Sequence, residues 1–149
     1  MLDDIEFKTV INSTPLVSID ILPIKNGKVL LGKRINKPAQ GYYFSPGGRI
    51  YKNETINDAM TRIAKDELNV NLKFMPTFIG IFEHFYKDSI FFDVSTHYIN
   101  LAYELKVQGQ INLPTMQHEE DKWISIEDLL DSNQVHKYVK DYIGVKYEK

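Results

Sequence analysis

Cysteine is absent from the 149-residue chain, which excludes disulfide bonds, thiolate catalysis and zinc sites built on cysteine. No apolar run approaches the length needed to cross a membrane. The formal net charge is only -2, so no strong positive field favours nucleic acid or an anionic membrane as a partner. The acidic first residues lack the charged-then-apolar pattern of a signal peptide. We therefore expect a cytoplasmic protein that has neither nucleic acid nor a membrane as its partner.

Hydrophobic residues make up 43% of the chain, which is enough to build the core of one domain of ordinary size. The sequence contains no internal repeat, low-complexity tract or Pro/Ser/Gly-rich linker. We therefore expect a single domain that spans residues 1–149.

Short apolar segments, some alternating and some rich in β-branched or aromatic residues, predict strands. They cover residues 16–24, 29–31, 42–44, 78–85, 96–106 and 123–124. Asn26-Gly27 predicts a type I′ turn between the first two strands. Ser125 and Asp128 predict the start of a terminal helix. This order predicts an α+β domain with a mixed β-sheet between helices.

A central helix is predicted between a capping residue, Thr55, and Asn69, which can adopt the left-handed conformation that ends a helix. Its apolar stripe consists of Ile56, Ala59, Met60, Ile63, Ala64 and Leu68. At 3.6 residues per turn, Glu67 falls inside this stripe. A buried carboxylate without a partner is costly, so we expect a cationic group to face Glu67.

Two cations can satisfy Glu67: a buried Arg or Lys, or a metal ion. Asp66, at the margin of the stripe, can add a second oxygen ligand. Oxygen ligands suit Mg²⁺ or Mn²⁺ rather than zinc. The Gly47-Gly48 pair favours the metal, because glycine lets a backbone turn sharply and approach a ligand closely.

The spacing of Gly48, Glu54, Arg62 and Glu67 resembles the Nudix box, the metal-binding loop and helix of Nudix hydrolases. The resemblance implies an α/β/α sandwich around a mixed sheet. The usual box has Arg-Glu, then Glu-Glu, then Gly, and this chain has Arg62-Ile63, Asp66-Glu67 and Asn69 at those places. A box that lacks the first of those glutamates is characteristic of one branch, the GDP-mannose mannosyl hydrolases.

Segments along nearly the whole chain resemble the same branch. They are Ser13-Thr14-Pro15-Leu16-Val17-Ser18 with Asp20, Leu31-Gly32-Lys33-Arg34, Pro38-Ala39-Gln40-Gly41-Tyr42, Phe44 with Pro46-Gly47-Gly48-Arg49, His84-Phe85-Tyr86, Thr96-His97-Tyr98 and Gln117-His118.

The resemblance implies a Mg²⁺ ion, replaceable by Mn²⁺, that is held by the Gly47 carbonyl, Glu67 and Gln117. It also implies that His118 is the general base. From the residues alone, the alternatives are a solvated loop amide for Gln117 and a surface histidine for His118. An unperturbed histidine, with a pKa of about 6.5, is largely neutral at neutral pH, as a base must be.

The resemblance also implies that Arg34 and Arg49 bind phosphate oxygens and assist catalysis, and an arginine fork matches such oxygens in paired hydrogen bonds. Tyr98, on the polar face of its strand, is predicted to donate to the leaving phosphate. Asp20 and His84 are predicted to bind the sugar. Exposed arginines, a half-exposed tyrosine, an Asp–Arg pair and a core histidine are the respective alternatives.

Three further residues are predicted to bind substrate. The resemblance places Phe7 at the guanine base and Leu2 nearby, and simple packing is the alternative for Phe7. Arg62 is the third, with a surface ion pair to Asp58 or Asp66 as its alternative.

The resulting hypothesis is Mg²⁺-dependent hydrolysis of GDP-mannose, with GDP-glucose as an alternative substrate. Water attacks the anomeric carbon with inversion and releases GDP. One alternative is a diphosphatase that cleaves the P–O–P bond to give GMP and a sugar 1-phosphate. Another is an inactive nucleotide-sugar-binding module. The resemblance also implies a homodimer.

Overall fold

The computed structural model describes residues 2–113 and 118–147, except for the side chains at 118, 119, 146 and 147. The helices are α1 (Asp4–Ser13), α2 (Ile56–Leu68), α3 (Ile126–Asp131) and α4 (Lys137–Tyr147). The strands are β1 (Leu16–Lys25), β2 (Lys28–Arg34), β3 (Tyr43–Phe44), β4 (Gly47–Arg49), β5 (Thr77–Tyr86), β6 (Thr96–Lys106) and β7 (His118–Ser125). All six predicted strands and both predicted helices are present, and α1, α4 and β4 were not predicted.

The strands form one mixed sheet in the order β3-β2-β1-β6-β5. β1 and β6 run parallel, whereas the pairs β1–β2, β2–β3 and β5–β6 are antiparallel. β4 adds to β1, and β7 adds to β2. The parallel pair is the centre of the sheet and brings the first third of the chain beside the last third.

Local sequence signals determine several element boundaries. Asn26 and Gly27 both have positive φ, 53° and 72°, as a type I′ turn requires. The Thr55 side chain accepts a hydrogen bond from the Asp58 N–H and caps α2, and Asn69 ends α2 in the left-handed conformation. Ser125 caps α3 in the same way. These predictions are confirmed, although the helix that Ser125 starts ends at Asp131.

Helices cover both faces of the sheet. On one face, α2 buries Ala59, Met60, Ile63, Ala64 and Leu68 against Ile19, Ile21 and Leu30. On the other face, residues of α3 and α4, among them Leu129, Val139 and Ile143, pack against Leu22, Val29 and Leu31. The α/β/α sandwich is therefore confirmed. Ile56 departs from its predicted place in the stripe, since it is the first residue of α2 and is 45% exposed.

The burial of the two faces of β6 is the reverse of what their polarity suggests. Thr96, Asn100 and Glu104, on the polar face, are buried, whereas the apolar face is only half-buried. The reason is tertiary, because the polar face turns toward α4 and a cavity. Within the described residues, no helix is long and apolar enough to cross a membrane.

Candidate active site

A cavity of about 140 Å³ opens between β1, β5, β6 and the segment that leads from β3 into β4. It is lined by Ser18, Asp20, Arg34, Pro38, Phe44, Ser45, Gly47, Gly48, Arg49, Glu67, His84, Tyr86, Tyr98 and Asn100. Seven of these are predicted site residues, which are separated by up to 78 positions in the sequence. The fold therefore brings most of the predicted site together.

Gly47 joins the loop to the sheet. It pairs with Asp20 of β1, and a Cβ atom at this position would lie 2.2 Å from Asp20 Oδ1 and 2.5 Å from the Ile19 carbonyl oxygen. Real side chains cannot occupy such distances, so only glycine fits here. The close approach places the Gly47 backbone at the cavity wall.

Glu67 lies beside this glycine, as the helical spacing predicts. Burial raises the pKa of Glu67 to about 7, against the opposing effects of a hydrogen bond from the Gly47 backbone and the charge of Arg34. Within the described residues, no Lys or Arg forms an ion pair with Glu67. The alternative of a buried Arg or Lys partner is therefore not what the described part of the chain contains.

The donors at this point fit a hard divalent cation. A half-buried carboxylate beside the backbone of a glycine loop supplies the oxygen ligands that Mg²⁺ and Mn²⁺ prefer. Asp66 and Glu67 also line a second pocket with Gly47 and Gly48. The described residues contain no cluster of three or more His, Cys, Asp or Glu side chains that could hold a metal.

Ile63 occupies the place of a usual box carboxylate. It is 1% exposed, and a Cβ atom added to Gly48 would lie 3.2 Å from its Cγ1. The helix surface that faces the glycine loop is therefore apolar at this position, and Glu67, one turn later, is the carboxylate that reaches the cavity.

Two arginines border the cavity close to Tyr98. Arg34 donates from Nε to the Pro38 carbonyl oxygen at 2.8 Å, which fixes its guanidinium group. Burial raises the pKa of Tyr98, whereas the charges of Arg34 and Arg49 lower it, and all three residues line the cavity. Arg34, Gly47, Arg49 and Glu67 together are called the charged rim below.

Arg62 does not line this cavity. Its guanidinium group forms two hydrogen bonds with Glu54, at 2.8 and 2.9 Å, and a third with the Arg49 carbonyl oxygen at 2.7 Å. It also stacks 3.9 Å above the Tyr51 ring centroid. The expected ion pair with Asp58 or Asp66 is replaced by a pair with Glu54, because the loop folds back over the helix. Arg62 thus secures the loop that carries Arg49.

Asp20 belongs to a hydrogen-bonded group at the inner end of the cavity. The Tyr142 hydroxyl lies 2.5 Å from Asp20 Oδ2, 2.9 Å from Asn100 Oδ1 and 3.1 Å from His84 Nε2. A hydroxyl has one proton to donate, and the carboxylate at 2.5 Å is its nearest acceptor. Asp20, His84, Asn100 and Tyr142 are called the buried network below.

Burial determines the charge state of this network. It raises the pKa of Asp20 to about 6, although hydrogen bonds, first of all from Tyr142, oppose the rise. Burial also lowers the pKa of His84 to about 4, so His84 is neutral at neutral pH. His84 stacks on Tyr138 at 4.0 Å. It is therefore both a core histidine and a residue of the cavity wall.

Phe7 and Leu2 lie at the N-terminal end of the chain. Phe7 is on α1 and is half-buried, and its ring centroid is 4.2 Å from the guanidinium carbon of Arg49. Leu2 is 43% exposed. Neither residue lines the cavity itself, although Phe7 contacts a residue that does.

The structure describes only the backbone of one further predicted residue, His118, and does not describe Gln117. Gln117 lies outside the described residues. The backbone of His118 begins β7 and pairs with Arg34 of β2, so its Cα lies opposite a residue of the charged rim.

The sequence reasoning missed several residues of the site. Asn100 had a usable signal, since it shares the Tyr98 face of β6 and an amide in a central strand needs partners. Ser45 and Tyr86 line the cavity within segments that were noted for other reasons. Tyr142 gave no signal, because its partners are 42 to 122 positions away.

Comparison with known proteins assigns the family. A model of the Nudix domain matches residues 14–143. The low-salt glycan biosynthesis protein Agl8 of Haloferax volcanii is 36% identical over 141 residues, which are 94% of this chain and 87% of that protein. The ADP-ribose pyrophosphatase of Methanocaldococcus jannaschii is 28% identical over 133 residues, covering 89% of this chain and 75% of that protein.

Among solved structures, the MutT protein of Methanosarcina mazei Go1 has the same fold, with a TM-score of 0.74 and 19% identity over 92% of this chain and 99% of that one. Nudix hydrolases generally use divalent metals such as Mg²⁺ or Mn²⁺, which agrees with the donors around Glu67. The family match, the fold and the glutamate-bearing α2 agree, and the chain belongs to the Nudix family of hydrolases.

Proposed function

We propose that this protein hydrolyses GDP-mannose, with GDP-glucose as an alternative substrate, to GDP and the free sugar. The observation that carries this proposal is the apolar Ile63 at the glycine loop, which leaves Glu67 as the box carboxylate at the cavity. Attack at phosphorus by a metal-activated water usually draws on several carboxylates. A metal that only stabilises a leaving diphosphate needs fewer.

The metal ligands in this proposal are the Gly47 carbonyl, Glu67 and Gln117, and the ion is Mg²⁺ or Mn²⁺. When bound, the ion neutralises negative charge that develops on the departing diphosphate. Neutral carbonyl and amide oxygens complete a set that has only one anionic side chain. This fits the lack of a three-residue acidic cluster in the described part of the chain.

The charged rim binds the diphosphate. Arg34 and Arg49 place two guanidinium groups near Tyr98, whose hydroxyl donates to a phosphate oxygen as the bond to carbon breaks. A diphosphate leaves well as an anion, so these donors replace the general acid that most inverting glycosidases need. Arg62 supports this end by holding the backbone of Arg49, rather than by binding substrate directly.

The sugar and the guanine base of the substrate are proposed to lie at opposite ends of this arrangement. Asp20 and His84 lie at the inner end of the cavity, where a carboxylate and a neutral imidazole can hydrogen-bond to sugar hydroxyls. Leu2, which precedes α1, is proposed to lie toward the guanine base, and the family resemblance implies the same for Phe7.

His118 is the proposed general base. It takes a proton from a water molecule whose oxygen forms a bond to the anomeric carbon. The bond from that carbon to the diphosphate oxygen breaks, and GDP leaves with the electron pair. The sugar is released with inverted configuration. The pairing of His118 with Arg34 brings its backbone to the rim, which supports this role.

Replacing His118 with Gln should lower kcat by roughly 10²–10⁴-fold, the range that a general base contributes. Binding of GDP in the presence of Mg²⁺ should change little, because the base does not hold the diphosphate. Steady-state kinetics and calorimetry measure the two effects. Turnover of the H118Q protein near that of the wild type would exclude His118 as the base.

A second candidate is a nucleotide-sugar diphosphatase that forms GMP and a sugar 1-phosphate. It is favoured by Asp66, which lines the second pocket beside Glu67 and can recruit a second metal, and by the relative named an ADP-ribose pyrophosphatase. Hydrolysis of GDP-mannose in ¹⁸O-water distinguishes the two reactions. Label in the free sugar supports attack at carbon, and label in a phosphate supports the diphosphatase.

An inactive nucleotide-sugar-binding module would give no product in the same assay. The relative named a glycan biosynthesis protein supports a role in the turnover of GDP-sugars for surface polysaccharide.

We also propose a cytoplasmic homodimer. The exposed Phe78, Ile81 and Phe85 of edge strand β5 offer an apolar surface for the partner, and sedimentation analysis tests it.

A further inference from the structure

Arg49 is held by an aromatic ring from outside the Nudix loop and helix. Its guanidinium carbon lies 4.2 Å from the ring centroid of Phe7, on α1, and 5.6 Å from that of Tyr51. An arginine within about 6 Å of a ring centroid is attracted by the negative face of the ring. The contact with Phe7 is the closer of the two.

Phe7 is itself fixed in place. Its ring meets the Phe91 ring edge-to-face at a centroid distance of 5.9 Å. It packs on a small core of Ile11, Leu16 and Val94, which joins α1 to the start of β1 and to the loop before β6. The ring is therefore a rigid platform, and the guanidinium of Arg49 lies over it.

The long side chain of an arginine loses rotamer freedom when it grips a ligand, and this loss weakens binding. A side chain that is already held over a ring has lost part of that freedom before the ligand arrives. The backbone of Arg49 is also held, because Arg62 donates to its carbonyl oxygen at 2.7 Å. Both ends of Arg49 are thus restrained beside the cavity.

We propose that Phe7 is a positioning residue, which holds the Arg49 guanidinium for the diphosphate of the substrate. This inference rests on the proposed function, in which Arg49 binds that diphosphate. It assigns Phe7 an effect on the phosphate end of the site, through a neighbouring side chain. The base contact that the family resemblance implies for Phe7 would act on a different part of the substrate.

The two roles give different results with ligands that share a diphosphate. A ring that positions Arg49 affects GDP, UDP and inorganic pyrophosphate equally, because all three present phosphate oxygens to the same guanidinium. A ring that contacts guanine affects GDP most and pyrophosphate not at all. Affinity for the three ligands in the presence of Mg²⁺, measured by calorimetry, therefore separates the roles.

The informative substitution is Phe7→Leu, which keeps an apolar side chain in the small core and removes the ring. We expect it to weaken binding of all three ligands by the same factor, about 3- to 30-fold. Phe7→Trp retains a ring and should bind all three like the wild type or more tightly. Val10→Ala is the matched control, since Val10 packs on the same core and has no ring.

A double-mutant cycle with Arg49→Gln completes the test. Once the guanidinium is gone, F7L should have no further effect on pyrophosphate affinity. Additive losses, a loss confined to GDP, or an equal loss in V10A would each overturn the inference.

The test distinguishes failure of this inference from failure of the proposed function. If GDP-mannose is not cleaved but the three ligands bind, the proposed function fails and the cycle still measures the contact between Phe7 and Arg49. If turnover is intact and the losses are additive, only the role of Phe7 fails. Absence of any Mg²⁺-dependent binding by the wild type would overturn both.

Discussion

Two carboxyl groups lie at the same cavity with raised pKa values, Asp20 at about 6 and Glu67 at about 7, and burial is the main cause for both. Their surroundings differ. Asp20 receives a hydrogen bond from Tyr142 and lies within a group of side chains that the chain itself supplies. Glu67 receives a hydrogen bond from the Gly47 backbone and, in the described part of the chain, forms no ion pair. The side chains of the buried network satisfy one another within the chain, whereas the Glu67 carboxyl has no ion-pair partner among the described residues.

The largest expected effect is on the rim. Replacing Glu67 with Gln should lower Mg²⁺-dependent turnover by more than about 100-fold, since even residues that only support metal ligands contribute about 10–100-fold. The free protein should keep or gain stability, because a half-buried charge is removed. Turnover and the urea midpoint without metal are the two measurements. A large loss of stability would mean that Glu67 is satisfied within the chain, as Asp20 is.

The corresponding change in the buried network should lower stability and have little effect on metal binding. Replacing Tyr142 with Phe leaves the Asp20 carboxylate without its closest donor and should lower the free energy of unfolding by about 1–3 kcal/mol. Affinity for Mg²⁺ should change much less than in E67Q. Tyr42→Phe is the control, because this tyrosine is 44% exposed. Equal urea midpoints for Y142F and Y42F would show that the network adds no stability.

A third effect is a pH dependence of stability. The pKa of Glu67 is about 7 in the folded chain and near the ordinary 4.5 when unfolded, so the folded state binds the proton more strongly. The contribution of Glu67 to the free energy of unfolding is thus greatest below about pH 4.5 and falls as the pH rises to about 7. It is measured as the difference between wild type and E67Q in urea midpoints from about pH 4.5 to about pH 8, without metal. A difference that does not depend on pH would contradict the raised pKa.

Local patterns in the sequence predicted the elements whose ends depend on near neighbours. The Asn26-Gly27 turn, the Thr55 cap and the left-handed Asn69 each need only residues within one or two turns. The position of Glu67 followed from helical periodicity, because the stripe of α2 packs on a sheet. The closeness of Gly47, Arg49 and Glu67 could therefore be predicted, since these residues belong to β4 and α2, which follow one another in the chain.

The buried network and the N-terminal helix were predicted poorly because long-range packing determines them. The pairing of β1 with β6 and the docking of α4 turn a polar strand face inward, so the alternation of β6 gave the correct faces but not which of them is buried. Tyr142 lies in a helix that was not predicted. The contact of Arg62 with Glu54 depends on a loop that folds back over α2, which helical spacing alone cannot predict.

The hydrogen bond between Asp20 and Tyr142 joins positions 122 residues apart, and this separation affects how the site is made. Contacts between distant residues form late, because the intervening chain must first be ordered. During synthesis, β1 leaves the ribosome long before α4 exists, and residues are added at roughly 5–20 per second. The inner wall of the cavity therefore stays incomplete for several seconds, and a nascent chain has β4 and α2 before Tyr142 can reach Asp20.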